Sequence, residues 1–129
     1  MKRLVTVAAA TALLGLSAMP AQAESIMKED FEGATVAQVV KLCSPGENDG
    51  MGQYAMGYCY GWIAGIEQFY DALVADPRFN FTPSVCTDSE ISREEARQTM
   101  IAWAVENPDS ASMPALSGLI AAMRAKYPC

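Results

Sequence analysis

The sequence predicts an all-α fold, a small bundle of four helices stapled by two disulfides. Three observations carry that prediction. Apolar residues recur at helical spacing in four segments, two Ser/Thr-x-x-Gln/Glu boxes mark helix starts, and proline or glycine clusters separate the segments. No run reads as a convincing strand, and no internal repeat occurs. Four cysteines in a 129-residue chain supply the staples.

In chain order, residues 1–23 (MKRLVTVAAATALLGLSAMPAQA) place Lys2 and Arg3 ahead of an apolar run and Ala21-Gln22-Ala23 behind it. That is the layout of a secretory signal peptide cleaved after Ala23, so the expected product is a periplasmic domain of residues 24–129. Pro20 and the Ala-x-Ala box fit cleavage rather than a retained anchor, and no membrane association is expected afterwards. Losing Lys2 and Arg3 and no acid moves the formal net charge from -6 to -8. An acidic surface argues against nucleic acid and anionic lipid as partners, and is compatible with a basic protein.

Residues 24–32 (ESIMKEDFE) are polar and unpatterned and read as a loose arm. Thr35 to Gln38 then forms a capping box, opening a short first helix with Val36, Val39, Val40 and Cys43 on one face. Residues 44–52 (SPGENDGMG) are a turn cluster. The second helix is predicted over residues 53–75, stopped at Asp76-Pro77, with Ala55, Cys59, Trp62, Ile63, Ile66, Phe69, Tyr70 and Leu73 at its core-facing positions. Residues 76–90 form a long connection whose Phe79, Phe81 and Val85 should pack onto the bundle. Ser92 to Glu95 is a second capping box, starting a helix with Ala96, Met100, Trp103 and Ala104 inward and ending at Asn107-Pro108. Leu116, Leu119, Ile120, Met123 and Tyr127 mark the last helix.

Gly57, Gly61 and Gly65 lie inside the second helix, where each glycine costs about 1 kcal/mol relative to alanine. At 100° per residue they form a stripe opposite the main apolar face. Glu67 and Asp71 exclude a membrane reading of this G-x-x-x-G pattern. The expectation is close packing of another backbone of the same chain against the stripe. Docking of a partner, or of a second copy in a homodimer, is the alternative.

Cys43, Cys59, Cys86 and Cys129 allow three pairings. Zinc is disfavoured, because no C-x-x-C pair and no histidine occur. If the third and fourth helices form an antiparallel hairpin, the end of the last lies beside the start of the third. That order selects Cys86–Cys129, and leaves Cys43–Cys59 to close the turn-rich loop.

No catalytic constellation emerges, and neither a cofactor nor a metal is expected. No histidine can serve as base, and the cysteines are expected to be oxidised. Glu67 and Asp71 read as a solvated helix face, while Glu94 and Glu95 suit a helix N-terminus. Asn48-Asp49-Gly50 lacks the first acidic ligand of a calcium loop, since Pro45 stands there.

The segments LCSPGE, CYGWIAGIEQ and the C-terminal stretch from Val85 to Cys129 resemble the Rap/Tai immunity family. Leu42-Cys43, Cys59, Gly61, Ile63, Gly65, Cys86, Pro108 and Tyr127-Pro128-Cys129 match its pattern. Trp62 replaces the usual tyrosine, and Asn107-Pro108-Asp109 stands where histidine-proline-glutamate is common. The resemblance implies a helical periplasmic protein that neutralises a peptidoglycan amidase delivered by type VI secretion. Recognition then falls to loops on a rigid scaffold, here Glu47, Asn48 and Asp49 in one loop and Arg78, Asn80 and Asp88 in the long connection. The alternative is a periplasmic acid-stress chaperone of the HdeA type, or another exported helical binding protein.

Overall fold

The computed structural model describes residues 24–129, and the expected signal segment lies outside them. Four α-helices carry the fold: α1 (Val36–Cys43), α2 (Gly52–Ala75), α3 (Arg93–Glu106) and α4 (Ala115–Lys126). Among the described residues there is no strand, only isolated bridges between Thr35 and Pro114 and between Val85 and Pro128.

The shortest helix is the central one. Thr35 caps α1 by accepting from the Gln38 amide, and the Gln38 side chain accepts from the Thr35 amide in return. Val36, Val39, Leu42 and Cys43 are fully buried, and α1 packs against α2, α3 and α4 alike. Burial of this kind contributes roughly 1.5–3 kcal/mol per large aliphatic side chain. Helix α1 also comes close to α4. Val36 Cγ2 lies where a Cβ on buried Gly118 would have to be, so this glycine sets the spacing of the two helices.

The third and fourth helices form the antiparallel hairpin that the pairing argument assumed. Lys126, at the end of α4, reaches Glu95 at the start of α3 (3.2 Å). Both disulfides are as expected: Cys43–Cys59 joins α1 to α2, and Cys86–Cys129 ties the long connection to the C-terminus.

Several expectations need correction. The segment 24–32 is a docked element, with a 3₁₀ turn at Lys28–Glu32. Ile26 is buried in a second small cluster with Leu42 and Ala55, and Phe31 meets Tyr58 edge to face at 5.8 Å. Gly33 ends the turn at φ 59, a conformation that suits glycine, and the Tyr58 ring lies over it. A short polar stretch can dock on the strength of one isoleucine and one phenylalanine.

The glycine stripe on α2 is not covered. Gly57, Gly61 and Gly65 are exposed, and nothing lies within 4 Å of a Cβ built on any of them. Among the described residues no second segment packs there, because α1 and α3 occupy the opposite side of α2. Phe69 and Leu116 were also placed inward by periodicity, yet they are 63 % and 45 % exposed. Ala64 and Ala115 take buried positions instead, since the small bundle closes tightly enough to favour alanine at its contacts. Finally, Ser92 caps α3 by accepting from the Glu95 amide, but the Glu95 carboxylate turns to Tyr127 and Lys126 rather than back to the cap.

Candidate protein-binding surface

The two loops named from sequence sit at opposite ends of α2. A helix of 24 residues spans roughly 36 Å at 1.5 Å per residue, so the loops do not form one compact patch. Within the first loop, Glu47 and Asn48 are exposed. Asp49 has a structural task. It accepts from the Ile26 and Met51 amides, both at 2.8 Å, and thereby ties the N-terminal arm to the start of α2. Those two backbone donors hold its carboxyl below the ordinary carboxylate value, the Ile26 amide first.

The second loop is also locally ordered. Asp76 accepts from the Arg78 amide at 2.9 Å and pairs with its guanidinium at 2.6 Å. Asn80 ends the Pro77–Phe79 turn in the left-handed conformation, φ 46. Asp88 is exposed farther along. Of the residues named from sequence, Glu47, Asn48, Arg78, Asn80 and Asp88 are exposed, and Asp49 alone is half-buried.

The feature that sequence reasoning missed lies between α2 and α4, which barely touch each other. A half-open groove of about 320 Å³ runs there. Ile63, Ile66 and Tyr70 of α2 form one side, Ile120 and Met123 of α4 the other, and Val85 and Ile91 the connecting wall. The wall is fixed at both edges. Tyr70 Oη accepts from the Ser84 and Val85 amides at 3.2 and 3.4 Å, and Phe81 meets the Tyr70 ring edge to face at 5.3 Å. On the far side, the Cys86–Cys129 bridge and a Cys86 amide bond to the Tyr127 carbonyl (3.0 Å) hold it to the C-terminus. Periodicity assigned Ile63, Ile66 and Tyr70 to the core. Ile63 is buried there, whereas Ile66 and Tyr70 are half-buried, and only the width of that apolar face signalled an excess over what one neighbour covers.

Elsewhere the titratable groups serve the scaffold. Glu94 accepts from Arg97 Nε and Nη2, both at 2.7 Å, from Tyr60 Oη at 2.5 Å and from Gln98 at 2.7 Å. Arg97 Nη1 also donates to the Cys43 carbonyl at 2.5 Å, satisfying an end of α1 that its own ladder leaves open. The Arg97 guanidinium, then the Tyr60 hydroxyl, hold the Glu94 carboxyl down at about 2. The Glu95 carboxyl is lowered first by Tyr127 and then by Lys126. These are clamps between helices. All four cysteines are bridged, and among the described residues no cluster of three or more metal-type ligands forms. The groove and the exposed loops thus offer shape, apolar area and charge.

Among the described residues no helix is long and apolar enough to cross a membrane. No curated protein and no solved structure matches the chain. The family model for Rap1a immunity proteins matches residues 35–129, and the chain belongs to that family.

Proposed function

We propose, from this membership, that the protein is a periplasmic immunity protein that binds and inhibits a peptidoglycan amidase delivered by a type VI secretion system. The single observation that carries the reading is the family match across all four helices and both disulfides. Two further features support it. The layout of residues 1–23 is that of an export signal, and two disulfides suit an oxidising compartment. Inhibition requires no chemistry from the immunity protein: a rigid, disulfide-stapled scaffold seated over the toxin's active site excludes substrate. The exposed residues Glu47, Asn48, Arg78, Asn80 and Asp88 are proposed contacts. A homodimer through the outer face of α2 would let one assembly engage two toxins.

The test is an inhibition assay. Residues 24–129, oxidised, are added to a purified peptidoglycan amidase, chosen from any encoded near the gene, and peptidoglycan cleavage is followed. Stoichiometric loss of cleavage supports the reading. Full cleavage at a large excess of the protein, together with protection of client proteins from aggregation at acid pH, would assign it to the chaperone class instead.

A further inference from the structure

The groove between α2 and α4 has an apolar floor and an acidic rim, and the two together specify an occupant. Along its edges stand Glu67, Asp71 and Glu90, with Arg93 as the one cation. Arg93 Nε lies 3.7 Å from Glu67 Oε2, which offsets part of that charge. Among the described residues no lysine or arginine pairs with Asp71 or Glu90. We propose that this groove receives a segment of the toxin that carries large apolar side chains flanked by lysine or arginine. The inference rests on the immunity reading and names the surface and the chemistry of the contact.

The physical case has three steps. A cleft of this size falls at the low end of ligand-sized sites, roughly 300–1,000 Å³, so it suits a few inserted side chains rather than a whole helix. Its walls are held before binding by Tyr70 on one side and the Cys86–Cys129 bridge on the other, so little ordering cost attends entry. The unpaired carboxylates at the rim then choose among apolar segments. They attract cationic flanks and repel acidic ones, as does the chain's overall negative charge. The same field disfavours an anionic lipid surface.

Peptide titration tests this directly. ¹⁵N-labelled residues 24–129, with both disulfides intact, are titrated with two synthetic peptides sharing one Leu-Ile-Phe core. One is flanked by lysines, the other by glutamates. Saturable shifts at Ile63, Ile66, Ile91 and Ile120 with the lysine peptide, at least about tenfold weaker with the glutamate peptide, are expected. Raising the salt should weaken the first and not the second. Equal affinity for both peptides, shifts confined to the outer face of α2, or no saturable shift would overturn the proposal. So would a dimer in sedimentation that Asp71→Lys dissociates, because the occupant would then be a second copy.

A second arm uses the amidase. The variant Asp71→Lys/Glu90→Lys, checked for an unchanged circular-dichroism spectrum, should inhibit about tenfold or more less tightly than wild type. Equal inhibition by wild type and variant would remove the groove from the contact and leave the immunity reading standing. If wild type itself failed to inhibit, the immunity reading would fall, and the peptide titration would still judge the groove.

Discussion

Gly118 on α4 and Gly61 on α2 are the same residue type in helices of one bundle, yet a methyl group added to each meets opposite surroundings. At Gly118 it would overlap Val36, a fully buried and β-branched side chain with little freedom to move. At Gly61 it would meet open space. The contrast extends to the regions around them. The α1 side of the molecule is closed by helix contacts, a disulfide and the Glu94–Arg97 clamp, whereas the outer face of α2 from Tyr54 to Ala72 is bare. Small residues on a helix show only that something could come close. Whether anything does depends on where the other helices lie.

The comparison breaks hardest if the α1 side proves dispensable. Replacing Cys43 and Cys59 together by alanine should cost about 3 kcal/mol, the loop-entropy value for a bridge closing 16 residues. Urea unfolding of the oxidised variant measures it. A change below about 1 kcal/mol would mean that packing alone holds α1 to α2.

Gly118→Ala comes next. Overpacking against Val36 should cost about 1–3 kcal/mol, outweighing the gain of up to about 1 kcal/mol from helix propensity. Val36→Ala in the same chain should relieve part of the strain, so the double variant should be less destabilised than the two single effects added. Simple additivity would show that the helices shift apart at little cost.

Much of this architecture was legible in the sequence. Thr35 and Ser92 mark their helix starts because a capping hydroxyl has one local task, and Asp76-Pro77 ends α2 for an equally local reason. The pairing of the cysteines followed from helix order alone. What stayed hidden depends on which neighbour each face finds. Gly57, Gly61 and Gly65 match a packing motif that has no partner among the described residues, while the glycine that does pack, Gly118, stands alone in its helix without a motif. Ile63, Ile66 and Tyr70 were assigned inward by period, and Ile63 is indeed buried. Ile66 and Tyr70 instead line a half-open groove, because periodicity does not distinguish a filled core from an open cleft. Asp49 was read as a free loop carboxylate, because its partner, the Ile26 amide, is far away in sequence.

The closed region should also answer to acid. The folded Glu94 carboxyl titrates near 2, against an ordinary value of 4.5. Between those values the unfolded chain binds more protons than the folded one, so stability falls as the pH drops from about 4.5 towards 2. Above about 4.5 the contribution is fully present. Thermal melts across this range should show the decline, and Glu94→Gln should flatten part of it. Glu95, also lowered, contributes in the same direction. A melting temperature that holds level down to pH 2 would show that the clamp adds nothing to folding.

The smallest expected effect has the opposite sign. Gly61→Ala and Gly65→Ala each remove a helix-interior glycine from a site where the new Cβ touches nothing. Each should therefore raise stability by up to about 1 kcal/mol, through helix propensity and a less flexible unfolded chain. Urea unfolding with the disulfides intact gives the sign, and the amidase assay gives its meaning. Stabilised variants that inhibit as well as wild type would place the contact elsewhere, consistent with the groove on the other side of α2. Stabilised variants that inhibit more weakly would show that a second chain comes within backbone distance of the stripe, and a parallel loss of self-association would identify that chain as another copy. Destabilisation would contradict the open face itself, since no atom of the described chain stands where the methyl group would go.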